Sequence, residues 1–330
     1  MNRLTENKIV LVTRPTRLAE LVFRFNTVSQ ARFYIEHQGA DFGDYLKEDE
    51  TYHHALVEVQ QTLAKIGRVQ TVDRAFLPSF LFAPEDTIVT LGQDGLVANT
   101  LKYLNGQPVV GVNPDPARWD GRLLPFKPAD LVKVMPEVIT RRRSTRTVTM
   151  AKASLNNGQT MYAVNDLFIG PKSHVSARYI IRTGEGSETQ SSSGVIVSTG
   201  LGSTGWLKSL LTGAAVIMQS ANSVLTQKTV ANLDKAKRAP KDRIRLNVKS
   251  EFAWDANYLF YTVREPFPTH TTGASLVFGR VTADTPLILQ SQMAEHGVIF
   301  SDGIENDFLE FNSGTQATIG IAEKKGVLVE

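Results

Sequence analysis

The sequence predicts an α/β domain with a parallel sheet, followed by a mostly β domain. Three observations carry this. The chain has 330 residues, more than one core usually fills, and a domain of roughly 150 residues gives a prior of two. The first third alternates short apolar runs with helix-spaced ones. Beyond about residue 130 the pattern changes to many short β-rich runs separated by turn signals.

In the first part, Lys8–Val12 (KIVLV) is suited to a buried strand. Arg17–Phe25 places Leu18, Leu21, Val22 and Phe25 on one helical face. Residues 26–50 read as polar and turn-rich, with Gly39 and Gly43. Tyr52–Ile66 offers Leu56, Val59, Leu63 and Ile66 at helical spacing, closed by Gly67 as a C-cap. Thr87–Leu91 is a second buried strand, Leu96–Leu104 a short helix ended by Asn105-Gly106, and Val109–Val112 a third strand. Strand–helix–strand order argues a parallel sheet with helices on its faces. The expected first domain spans 1–135 and the second 136–330, across the charged segment Arg141–Arg146. The second shows strand-like runs at Arg146–Ala151, Gln159–Ile169, Ala177–Arg182, Gly194–Thr199, Arg243–Val248, Tyr258–Val263, Ala274–Phe278, Leu287–Gln290, Gly297–Phe300 and Ala317–Ile321. Asn157-Gly158 and Asp302-Gly303 mark turns. One helix, Trp206–Gln219, interrupts it, and Lys235–Lys241 is a basic loop.

Composition excludes several function classes. Hydrophobic residues make 42% and charged residues 21% of the chain, which is globular rather than disordered composition. No apolar run approaches the ~18 residues of a membrane span. Arg3, Glu6, Lys8, Arg14, Arg17 and Glu20 interrupt any signal-peptide core. There is no cysteine, so thiolate metal sites, disulfides and thiol nucleophiles are excluded together. A cytoplasmic protein is expected. A net charge of +3 is too mild to argue for nucleic-acid binding. The six histidines show no metal-binding spacing, and Phe76, Phe80 and Phe82 read as core.

Three motifs carry chemistry. Gly92-Gln93-Asp94-Gly95 sits where a strand ends and a helix begins. Glycines there let backbone approach a phosphate, and a helix N-terminus favours anions; taken alone, the four residues read more simply as a plain turn with Asp94 as N-cap. Gly200-Leu201-Gly202-Ser203-Thr204-Gly205 has dinucleotide-loop spacing, but no acid follows at the expected distance, and Trp206 stands where a P-loop has its lysine. What remains is a loop of amides and hydroxyls fit to surround a polar ligand. Asn165-Asp166 at a strand end could accept both hydroxyls of a ribose diol; a hairpin or bulge accounts for it too.

In this order, the motifs resemble the NAD kinase family, whose pattern runs GGDG, Asn-Glu, then GSTA-aromatic. The resemblance is nearest to the divergent, mitochondrial-type branch. It extends through Val112–Arg118 with Gly121, Phe168-Ile169-Gly170, Ser176-Ala177-Arg178, Ser192-Ser193-Gly194, Arg264-Glu265-Pro266 and Ser301-Asp302-Gly303, over most of residues 85–320. It implies an N-terminal Rossmann-like three-layer domain, a C-terminal β-sandwich-like domain and a nucleotide site between them. It implies phosphoryl transfer from ATP (or polyphosphate), with Mg²⁺, to the 2′-hydroxyl of the adenosine ribose of NAD. Asp94 would orient or deprotonate that hydroxyl, with Gly92, Gln93 and Gly95 around it and Asn113 shaping the loop after its strand. Asn165 and Asp166 would hold ribose, and Gly202, Ser203, Thr204, Gly205 and Trp206 would contact adenine and ribose. A homodimer or homotetramer with small-molecule nucleotide partners is implied. Gln93 replaces a family glycine, Leu96 the usual Thr, Asp166 a longer Glu, and Ser193 a frequent Asp. Gln93 would obstruct the phosphates if its backbone needed positive φ. A sugar or nucleoside acceptor, and a nucleotide sensor with little turnover, stay open; a dehydrogenase rests on the glycine spacing alone.

Overall fold

The computed structural model describes residues 3–230 and 250–330. The chain forms two compact units, Met1–Met150 with Glu323–Glu330, and Ala151–Ala322. The expected strand Arg243–Val248 and the basic loop Lys235–Lys241 lie outside the described residues.

The first unit is built on a parallel sheet. Strands β1 (Lys8–Thr13), β2 (Arg68–Asp73), β3 (Thr87–Leu91) and β4 (Pro108–Val112) lie in the order β2-β1-β3-β4. The end of the chain's last strand adds to β4, with Val327 beside Pro108. From β1 the chain turns to β2 on one side, then crosses to β3 on the other. The carboxyl ends of β1 and β3 therefore flank a topological switch point, where open α/β sheets bind ligands. Ile9, Leu11, Val89, Leu91, Val110 and Val112 pack against helices α3 (Phe42–Ile66) and α5 (Leu131–Ile139). The alternate residues Val10, Val12 and Ile88 are equally buried on the opposite face, as a sheet covered on both sides requires.

Residues 26–50 are not the turn-rich stretch expected. Thr16 caps α1 (Arg17–Phe25), Asn26 ends it in the left-handed region, Thr27 caps α2 (Val28–His37), and Asp41 caps α3. Ala31, Ile35 and Phe42 then join Leu18 in a small core of their own. The polar residues are caps between helices rather than a loop. Helix α4 is Asp94–Leu101, two residues earlier than its apolar spacing suggested. Gly67 does follow α3, but its backbone is extended (φ −160°). A Cβ there would meet Thr5 and Ile9 side chains at 2.9 and 3.0 Å, so close packing rather than left-handed geometry favours glycine. Phe76 is exposed, and Phe80 and Phe82 pack edge-on to each other at 4.8 Å, half-buried, so none of the three is core.

The second unit is a sandwich of two antiparallel sheets. One contains β7 (Asp166–Pro171), β10 (Val195–Ser198), β11 (Leu259–Val263), β12 (Phe278–Val281), β14 (Gly297–Ser301) and β15 (Ile304–Glu310) in the order β12-β11-β10-β7-β14-β15. The other contains β8 (Ala177–Thr183), β9 (Gly186–Ser192), β13 (Leu287–Ser291) and the start of β16 (Gln316–Val329), with β5 (Thr145–Leu155) and β6 (Thr160–Ala163) off its path. Leu167, Ile169, Val195, Val197 and Tyr261 from the first meet Tyr179, Ile181, Leu287 and Leu289 from the second in one core. The run Gln159–Ile169 is two strands broken at Val164-Asn165, and Ala274–Phe278 contributes only its last residue to β12. Strands β2, β9 and β15 are polar and carry no apolar run. Helix α6 runs Trp206–Val230. Among the described residues no helix is long and apolar enough to cross a membrane.

At the end of β4, an added Cβ on Gly111 would overlap the Leu123 carbonyl oxygen. Gly111→Ala is expected to destabilise the protein by about 1–3 kcal/mol, the usual range for overpacking, read as a lower denaturant midpoint.

Candidate functional site

Two groups of candidate residues form, one in each unit. In the first, Gly92 follows β3 and Asp94 opens α4. Gln93, not Asp94, is the N-cap; its backbone is extended (φ −121°, ψ 164°) and its side chain makes no capping bond. Any residue adopts that conformation, so glutamine is unstrained there and the expected obstruction through positive φ does not arise. Gly95 has open space where a Cβ would stand.

The Asp94 carboxylate is already engaged. It accepts from the backbone N–H groups of Leu123 (2.8 Å) and Arg122 (3.2 Å). Asn113 holds the start of the same loop: its Nδ2 donates to the Trp119 carbonyl (2.9 Å) and its Oδ1 accepts from Asp115 N–H (3.0 Å). Gly121 sits at φ +61°, and a Cβ there would stand 2.6 Å from Asn113 Nδ2. Asp94 and Asn113 thus pin the two ends of one loop, 113–123, beside the switch point. Each carboxylate oxygen keeps a further lone pair, so Asp94 can still accept a substrate hydroxyl. Sequence reasoning missed Tyr52, whose hydroxyl donates to the Leu91 carbonyl and accepts from Arg14 N–H, both at 3.1 Å. It ties the ends of β1 and β3 together, and nothing in a lone helical Tyr signals that.

In the second unit the Asn165-Asp166 and Gly202–Trp206 motifs meet. The chain turns at Asn165 because the Asp302 carboxylate gathers the N–H groups of Val164 (3.1 Å), Asn165 (2.6 Å) and Asp166 (3.3 Å). Thr199 N–H donates to the Asn165 carbonyl (2.9 Å). Gly202 lies so close that an added Cβ would overlap that carbonyl, and one on Gly200 would overlap the carbonyl of Ala253. These glycines serve backbone contact. Ser203 is fully buried, and its hydroxyl donates to the Gly200 carbonyl (2.7 Å), so it shapes the loop from inside. Thr204 is half-buried and Gly205 exposed.

Asp166 accepts a hydrogen bond from Ser198, and the burial of its carboxyl pushes the pKa up to about 7, opposed by that hydroxyl and aided by the charge of Asp302. Ser198 and Asp302 were not read as site residues; Asp302 was legible as part of a turn and of the Ser301-Asp302-Gly303 block in the family resemblance. Trp206 opens α6 and stacks on Phe168 (6.0 Å, 9° between planes), with the Arg264 guanidinium 5.7 Å from its ring. They border a cavity of about 450 Å³ that also reaches Lys172, His174 and Glu265. Among the described residues no three His, Asp or Glu side chains gather as a metal cage.

Comparison with known proteins gives one consistent answer. No family model matches the chain. A NAD kinase of Chlorobaculum tepidum is 27% identical over 140 residues, 42% of this chain and 48% of that protein; the chain therefore spans about half the length of this curated relative. A NAD kinase from Archaeoglobus fulgidus, solved in complex with ATP, superposes with a TM-score of 0.53 at 14% identity, covering 98% of this chain and 93% of that one. Yeast NADH kinase, complexed with NADH, gives 0.54 at 15% identity over 98% and 84%. The resemblance to NAD kinases and the expected fold class are borne out.

The carboxyl of Asp166 has a stability consequence. Its folded pKa near 7 exceeds the ordinary carboxylate value of about 4. Below about pH 4 it is protonated in both states. As pH rises toward 7 the unfolded chain loses the proton first, so this group's contribution falls and levels off above about 7. Asp166→Asn is expected to flatten that segment, measured as denaturant midpoints between pH 5 and 8.

Proposed function

We propose that this chain, a relative of the NAD kinases in sequence and fold, transfers the terminal phosphoryl group of ATP to the 2′-hydroxyl of the adenosine ribose of NAD. The observation that carries this reading is the Asp94 carboxylate at the carboxyl end of β3, held at the switch point by two loop amides. A carboxylate so placed can orient the attacking hydroxyl and take its proton, while the first amides of α4 face developing phosphate charge. Gly92, Gln93 and Gly95 would form the turn under the phosphates, and Asn113 would hold the loop that fixes Asp94. Asn165 and Asp166 would bind the ribose of the acceptor, with Thr204, Gly205 and Trp206 against its base and sugar, and Gly202 and Ser203 setting that loop's path.

The donor set fits Mg²⁺ carried by the nucleotide rather than by a protein cage: Asp94 is one carboxylate with spare lone pairs, and Mg²⁺ commonly takes one or two carboxylates with substrate phosphates. The ion would neutralise charge on the phosphates. The acceptor reading accounts for an Asp166 whose pKa is raised. Ribose hydroxyls donate, so they need the ionised carboxylate; binding near neutral pH then releases a proton. A homodimer or homotetramer and a cytoplasmic location are what the family resemblance suggests, and light scattering tests the first.

Incubation with NAD, ATP and Mg²⁺ should yield NADP; absence of product from folded protein that binds both nucleotides would favour a sensor. Asp94→Asn is expected to cut turnover roughly 10²-fold. It also places an NH₂ group where loop amides donate, so it should lower stability by about 1–3 kcal/mol; unchanged turnover would remove Asp94 from the reaction. NAD affinity should rise with pH through about 7, and Asp166→Asn should abolish that dependence; calorimetry in two buffers of different ionisation enthalpy reads the proton.

A further inference from the structure

Arg14, directly after β1, is buried, with its side chain 8% exposed. One guanidinium nitrogen donates to the Pro15 carbonyl (3.0 Å) and the other pairs with Glu48 (3.0 Å). Its Nε is shielded from solvent and has no hydrogen-bond partner among the described residues. Leaving a buried charged donor unmade is costly. The orphaned nitrogen lies against the phosphate turn: it is 3.6 Å from where a Cβ on Gly92 would stand, and Cδ is 3.5 Å away. A Cβ on Gly92 would make only ordinary contact with the arginine, and its tightest neighbour would be Leu96 Cδ2 at 2.9 Å.

The arginine is held in place from behind. Glu48 is nearly fully buried and also binds Arg17; Arg17 pairs with Asp44 (2.7 Å), and Asp44 with Arg118 (2.6 Å). Burial raises the Glu48 pKa, but Arg17 and Arg14 outweigh it and hold the group ionised, below its usual range. Arg118, then Arg17, hold Asp44 well below the usual carboxylate range. This alternating chain of charges joins the end of β1, α1, α3 and the loop after β4. It fixes Arg14 on the β1 side of the switch point, while Gly92–Asp94 occupy the β3 side. The Gly92–Gly95 turn leads into α4, whose Asp94 and Gly95 amides have no preceding turn to bond. A cation with a spare donor lies beside the Gly92 turn that opens a helix.

We propose that Arg14 is a donor-binding residue, its guanidinium contacting the phosphate oxygens of a linear phosphoanhydride seated on the Gly92–Gly95 turn, with Glu48 as its positioning residue. This rests on the phosphotransferase reading above and adds the group that recognises the donor. Arginine suits the task because its charge is permanent and its planar fork matches phosphate oxygens. The ligand chemistry is shared by ATP and inorganic polyphosphate, and the guanidinium would read the phosphates, not the base.

The test measures binding of ATP, tripolyphosphate and NAD by calorimetry, and NADP formation, for the wild type, Arg14→Gln and Arg14→Lys. Arg14→Gln should weaken ATP and tripolyphosphate at least tenfold and leave NAD affinity within twofold. Arg14→Lys keeps the ion pair with Glu48 and so carries the test if the glutamine variant unfolds; it should lose at least threefold for both phosphoanhydrides. Unchanged donor affinity in a folded variant overturns the proposal, as does a loss confined to ATP, which would assign Arg14 to the nucleoside. Equal loss for NAD would mean a general structural role and overturn it also. The two readings fail separately. A wild type that binds both phosphoanhydrides but forms no NADP sinks the acceptor assignment alone; an active wild type with indifferent Arg14 variants sinks this proposal alone.

Discussion

Backbone passing against backbone, with no side chain between, is the constraint on which both groups of candidate residues depend. Gly111 lets the segment around Leu123 lie on β4, and that segment supplies the amides that hold Asp94. Gly202 lets its loop lie on Asn165, and Gly200 lets the next turn lie on Ala253. At each of these positions a Cβ would strike a carbonyl oxygen, which cannot rotate away as a side chain can. Interiors are packed too densely to absorb such an overlap without moving a strand end. The glycines therefore fix where the candidate carboxylates stand, although none of the three needs positive φ.

Two carboxylates illustrate how partners decide charge. Glu48 is almost wholly enclosed, yet two arginines keep it ionised. Asp166 has only a hydroxyl donor and a second carboxylate nearby, and burial prevails. The first arrangement suits a scaffold, since breaking one partner of a buried pair is typically worth about 3–5 kcal/mol. The second suits a binding group, because it stays poorly satisfied until a ligand with hydroxyl donors arrives. Chemistry that perturbs a pKa without a full set of partners is a common mark of function, and here it falls on a residue that the motif order had already singled out.

The parallel sheet was legible because β1, β3 and β4 carry apolar runs buried on both faces, as a sheet covered on both sides requires. β2, β9 and β15 were not, because edge or near-edge strands carry polar residues that leave no periodic signal. Residues 26–50 misled for a related reason: Thr27 and Asp41 belong to loops by composition but are capping residues by geometry. Of the site, Asp94, Asn113, Asn165, Asp166 and the Gly202 loop could be named from motif order, whereas their supports could not. Tyr52, Ser198 and Asp302 act through hydrogen bonds to residues as far as 39, 32 and 138 positions away in sequence, a separation that no local pattern records. Gly200 and Gly202 were read as part of a loop fit to surround a polar ligand, and in the structure they give room for another stretch of backbone.

That distinction changes how Asp94 should be understood. A carboxylate that only abstracts a proton could sit on any accessible turn. This one accepts from two amides of a loop whose other end is fixed by Asn113, so its position and the loop's are one variable. Orientation of a reacting group is a large part of catalysis, and displacement by about 1 Å can cost roughly 10²-fold. The loop amides thus set the geometry of the proposed base, and Gly111 and Gly121 set the geometry of the loop. Substitutions at those glycines should resemble loss of Asp94 in turnover while leaving its charge in place, which separates the position of the carboxylate from its presence.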